Sequence, residues 1–115
     1  MSAFRTPLVL EHEGDRRLTL TSPLLYDSDV LGVTIAVPTG FVTDLASIPR
    51  GLWNILPPIG RYDRAAVVHD YLYACGFTTR KQADDVLYEA MRVTQVGRVA
   101  AWTIYAGVRL GGGAA

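Results

Sequence analysis

Hydrophobic and polar positions change rhythm near residue 45. Before it, short apolar runs are separated by turn residues and show no helical period. Leu8-Val9-Leu10 and Leu18-Thr19-Leu20-Thr21 flank Glu13-Gly14-Asp15-Arg16, a pattern that predicts a β-hairpin. Leu24-Leu25-Tyr26 is a third run. Val33-Thr34-Ile35-Ala36-Val37 is a fourth, dense in β-branched residues and closed by Pro38-Thr39-Gly40 ahead of Phe41-Val42.

After residue 45 the rhythm becomes helical. Ser47-Ile48-Pro49 predicts a short capped turn, and Leu52, Trp53, Ile55 and Leu56 follow before Pro57-Pro58-Ile59-Gly60 interrupts the chain. A helix is predicted from about Arg61 to Ala74, with Ala65, Val68 and Leu72 on one stripe and Gly76 as its stop. Thr79 and Gln82 match a capping box, and the helix they open runs to about Thr94 with Leu87, Ala90, Met91 and Thr94 on one side. Gly97 separates it from a last helix near Val99–Leu110. Residues 111–115, Gly-Gly-Gly-Ala-Ala, read as a flexible tail. The expectation is one α+β domain over residues 1–115: an antiparallel β section over about 1–45, then about three helices over 47–110, two of them forming an antiparallel hairpin.

That pattern throws two ionisable residues onto apolar stripes. His69 shares a face with Ala65, Val68 and Leu72, and Asp84 lies three before Leu87 and seven before Met91. The turn between the helices is centred between Gly76 and Phe77. His69 lies seven to eight residues before that point and Asp84 seven to eight after it. Antiparallel helices with axes about 8–10 Å apart then bring imidazole and carboxylate to the same height. The expected bond runs from one imidazole N–H to an Asp84 oxygen, which fixes the tautomer and leaves the other nitrogen as a base. Such a pair is equally the pattern of a satisfied buried polar contact between helices.

Composition narrows the functions. The chain has 115 residues, half of them hydrophobic, enough for a single core. Lys+Arg and Asp+Glu are both 11, for a formal net charge of zero. Nucleic-acid binding through bulk positive charge is therefore not expected, and Arg80, Lys81, Arg92, Arg98 and Arg109 do not interleave with aromatics. Residues 1–7 lack the apolar stretch of a signal peptide, and the longest apolar run falls short of the roughly 20 residues a bilayer span needs. The single cysteine, Cys75, excludes an internal disulfide; it is expected to be a small buried hydrophobe. His12 and Asp85 are expected to face solvent.

Asp70 points about 100° away from His69. It is either an exposed charge partnered by Arg61 or Lys81, or a ligand for a divalent cation, with backbone carbonyls from the loop ending at Gly60; an oxygen-only set of this kind suits calcium. Asp44 and Ser47, where the β section meets the helices, are either turn and cap residues or a further cation ligand and a nucleophile. Ser47 lies outside any G-x-S-x-G elbow.

Two resemblances attach to these residues. Phe41-Val42-Thr43-Asp44-Leu45-Ala46-Ser47-Ile48-Pro49, Pro58, Gly60, Ala66-Val67-Val68-His69-Asp70-Tyr71-Leu72-Tyr73, Ala83-Asp84 and Ala90-Met91 together resemble a family of small proteins encoded by tailed bacteriophages and prophages, a domain of unknown function. That resemblance implies a phage origin among late structural and tail genes, synthesis in the host cytoplasm, a place in the virion and other phage structural proteins as partners. More locally, His69-Asp70-x-x-Tyr73 followed by Ala83-Asp84-x-x-Leu87 and Met91 is similar to the catalytic helices of phospholipase A(2) enzymes. Carried over, it implies His69 as the base that activates water, Asp84 as its orienter, Tyr73 as a hydrogen-bonding support and Asp70 as a calcium ligand, acting on a lipid or envelope ester. The Y-x-G-x-G calcium loop of those enzymes has no counterpart upstream, where Pro58-Ile59-Gly60 stands instead. The alternative is a purely structural tail or tail-tip component in which the His–Asp pair only holds the fold.

Overall fold

A computed structural model describes residues 2–12, 18–43 and 63–111, with the backbone alone at 10–12 and 111. Asp44, Ser47 and Gly60 lie outside these residues, as does the turn predicted at 47–49. Six strands precede three helices: β1 Ala3–Phe4, β2 Leu10–His12, β3 Leu18–Leu20, β4 Leu24–Ser28, β5 Val33–Val37, β6 Val42–Thr43, α1 Asp63–Cys75, α2 Arg80–Val93 and α3 Arg98–Gly111. The α+β expectation holds.

The strands form two antiparallel sheets, ordered β1-β4-β5 and β2-β3-β6. The predicted hairpin is present, with Leu10 opposite Leu20 and His12 opposite Leu18. A second hairpin joins β4 and β5, pairing Leu24 with Val37 and Tyr26 with Ile35. Those four side chains alternate with outward ones and are buried, as a period of two requires when one face meets a core. Gly32, at φ +68°, supplies the left-handed residue of the connecting turn.

α1 is the central helix. Ala65, Ala66, Val67, Val68, His69 and Leu72 are all buried, so it is covered nearly all round, where its sequence pattern suggested a single stripe. It packs on α2 and touches β5 and β6, while α2 also packs on α3 and β4. Gly76 at φ +66° ends the α1 region. α2 opens with both halves of the expected capping box: the Gln82 N–H donates to Thr79 Oγ1, and the Thr79 N–H donates to Gln82 Oε1.

The α2–α3 connection turns at Gln95, φ +68°, rather than at Gly97. The Val96 N–H reaches Met91 O at 2.9 Å and the Gln95 N–H reaches Arg92 O at 3.1 Å. These are the two bonds of a Schellman motif. The Arg92 guanidinium braces it by donating to Val96 O at 2.6 Å.

Candidate functional site

His69, in the middle of α1, and Asp84, in the second turn of α2, meet as their spacing from the interhelical turn requires. Nε2 of His69 lies 2.7 Å from Oδ1 of Asp84, and both side chains have no solvent exposure. A carboxylate only accepts, so Nε2 carries the hydrogen of this bond.

Two further groups converge on the carboxylate. The Tyr73 hydroxyl, one turn after His69 on the same face of α1, donates to Oδ1 at 2.6 Å. Its ring packs against the imidazole with centroids 4.3 Å apart. From α3, Arg109 Nη1 donates to Oδ2 at 2.9 Å, and Arg80 Nη2 donates to the carbonyl of Arg109 at 3.3 Å. Three helices are thus tied at one carboxylate. Burial pushes the Asp84 carboxyl up, but the hydrogen bonds from His69, Tyr73 and Arg109 outweigh it and hold the group below the ordinary carboxylate value. The Tyr73 hydroxyl is raised by burial and by its bond to Asp84. Arg109 is raised by its bond to Asp84.

Asp70 does not join this cluster. Half-buried on another side of α1, its Oδ2 accepts a hydrogen bond from Thr43 Oγ1 in β6, so it ties the helices to the β section instead of standing as an exposed charge. Among the described residues, no three His, Cys, Asp or Glu side chains converge as metal ligands. Asp70 alone does not furnish the six to eight oxygens calcium takes.

Sequence reasoning missed several contacts. Arg109, noted in the sequence only among basic residues without a nucleic-acid pattern, is a partner of Asp84. Asp85 is partly buried, accepting from Lys81 Nζ at 2.8 Å and from the Tyr105 hydroxyl at 2.6 Å. Glu89 was not singled out at all. Its Oε1 accepts from the Tyr26 and Ser28 hydroxyls, each at 2.8 Å, and its Oε2 from the N–H groups of Asp29 and Val30 at 3.0 and 2.9 Å. Cys75, expected inside, is exposed at the C-terminal end of α1.

The fold and its cluster define a small α+β protein whose helices close on a buried His–carboxylate pair. The chain belongs to the family described as Protein of unknown function (DUF1353), which matches residues 18–108. It is 37% identical over 79 residues to "Uncharacterized protein y4jT" of Sinorhizobium fredii (strain NBRC 101917 / NGR234), an alignment covering 67% of this chain and 23% of that protein. The chain therefore spans under a quarter of that relative's length. No solved structure matches it. Among the described residues, no helix is long and apolar enough to cross a membrane.

Proposed function

We propose that the protein is a virion-associated phage protein, of the tail or tail tip, with a phospholipase-like hydrolase site in which His69 is the base and Asp84 its orienting carboxylate. The observation that carries the reading is the 2.7 Å contact between His69 Nε2 and Asp84 Oδ1, with Tyr73 on the same oxygen. In a neutral ring that donates from Nε2 to Asp84, Nδ1 would be the atom to take a proton from water as the oxygen attacks an ester carbonyl. Asp84 then balances the positive charge left on the ring. In this reading Asp70 would be a calcium ligand. Lipid or envelope esters are the substrate class, and other virion proteins the partners.

A second reading has its own observation. His69 has no exposed surface, which favours a structural component of the virion in which the cluster pins three helices. The two readings part on His69→Gln, which can keep a donor toward Asp84 while removing the base. Hydrolysis of phospholipid vesicles and of a short-chain ester is measured with calcium and with a chelator, on variants shown to be folded by circular dichroism. The hydrolase reading expects a loss of about 10²–10⁴-fold. Undetectable wild-type hydrolysis, or hydrolysis equal in the variant, overturns it and leaves the structural reading. Absence of the protein from purified particles overturns the virion assignment under either reading.

A further inference from the structure

On another side of α2 from the Asp84 cluster lies an open cleft of about 450 Å³, lined by Val30, Asp85, Tyr88, Glu89, Trp102 and Tyr105. Its size falls within the range of small-ligand sites. Three aromatic rings from two helices meet there. Tyr105 stacks on Trp102 at 5.6 Å and takes the edge of Tyr88 at 5.8 Å. Trp102 is 60% exposed, a large indole left in water beside the half-exposed Val30. Tyr105 is held in place by its hydrogen bond to Asp85.

Two carboxylates line the cleft, and the nearby cations Lys81 and Arg109 act on one of them, Asp85. Glu89 accepts four hydrogen bonds, all from neutral donors. Among the described residues no cation pairs with it. Asp85 adds a second carboxylate, partnered by the exposed Lys81. Both Glu89 oxygens are already occupied as acceptors, so the group offers negative field rather than open coordination sites. A bare metal ion or a primary ammonium, each of which demands direct oxygen ligands or acceptors, is poorly served. A quaternary ammonium needs none: it presents a diffuse positive charge on an apolar surface, which is what aromatic faces beside a carboxylate field attract.

We propose that this cleft binds a quaternary ammonium group of the choline class, with Trp102 as the principal face and Glu89 as the source of field. The site is separate from the His69 cluster and does not depend on its being catalytic.

The test titrates the full chain with choline chloride against sodium chloride at equal ionic strength, reading the indole N–H signals by NMR. The chain has two tryptophans, Trp53 and Trp102, and Trp102→Leu identifies the Trp102 signal. The expected result is a saturable shift of that signal with an affinity on the order of millimolar. In Trp102→Leu, shifts of the Tyr88 and Tyr105 amide signals should require about tenfold more choline, as loss of one cation–π contact implies. Glu89→Gln, if folded, weakens binding too; if it does not fold, Trp102→Leu decides alone. No saturable shift up to about 50 mM choline, far above that affinity, or an equal response to methyl glucoside, overturns the proposal. Given choline binding, sedimentation with phosphatidylcholine but not phosphatidylglycerol vesicles assigns the group to a lipid headgroup. Failure to sediment assigns it to a free cation.

Discussion

Two carboxylates five residues apart on α2 sit in contrasting surroundings. At about 100° per residue they lie some 140° apart around the helix. Asp84 faces α1 and α3 and gathers a histidine, a tyrosine and an arginine. Glu89 faces the β4–β5 turn and gathers two hydroxyls and two backbone amides. Both are fully satisfied as acceptors, and both join separate parts of the fold. Only Asp84 is hydrogen-bonded to an imidazole. Glu89 is therefore the standard for a carboxylate held by neutral donors alone in this protein. Whatever the Asp84 cluster does beyond that standard has to come from His69.

The comparison breaks most sharply when each carboxylate is removed. Asp84→Ala strands His69, Tyr73 and Arg109 at a fully buried point and should cost about 3–5 kcal/mol, read as a lower urea midpoint with unchanged slope. Glu89→Gln keeps volume but sets an amide against donors, and should cost about 1–3 kcal/mol. If Glu89→Gln proves as damaging as Asp84→Ala, the two sites are architectural equals and the special status of Asp84 is lost. Comparable in size is Tyr73→Phe, which removes one charge-assisted bond to Asp84 and should cost about 1.5–3 kcal/mol. Because His69 still orients on the same oxygen, any hydrolysis should fall less than in His69→Gln.

Acid sharpens the contrast. The Asp84 carboxyl is held below its ordinary value in the folded protein, so its contribution is complete above the unfolded value of about 3.9. It drains away as pH falls through the lower folded value. Denaturation from pH 6 to pH 2 should therefore show a loss of stability below about pH 4 that is smaller in Asp84→Asn, the remainder coming from Asp27, Asp29 and Asp85, whose carboxyls are lowered too. Arg109→Leu should have the smallest effect, because the arginine side chain is 34% exposed and water screens its charge. A thermal shift smaller than that of Tyr73→Phe is expected.

The Asp84 cluster was partly legible and the Glu89 cluster was not, and the reason is geometric. His69, Tyr73 and Asp84 belong to two helices joined by a short turn, so helical period and distance from the turn set which side chains meet. Arg109 enters from α3, whose height against α2 depends on the Schellman turn at Gln95, and nothing in a Thr94-Gln95-Val96-Gly97 string announced that residue as the left-handed one. Glu89 meets residues about 60 positions away, a pairing no local spacing encodes. Asp85 looked like a solvated charge because Tyr105, its partner, also comes from α3.

By itself the sequence determined the change from strand to helix near residue 45, the hairpin of α1 and α2 with its capping box, and the meeting of His69 with Asp84. These depend on chain periodicity, cap chemistry and one short connection. Only the tertiary structure decided that the strands divide into two sheets, that α1 is buried nearly all round, that Asp70 turns to Thr43, and that Glu89 and Trp102 share a cleft. Each of those depends on how separately formed elements pack, where surface burial and hydrogen-bond satisfaction across long chain separations choose among arrangements that local propensity leaves equal.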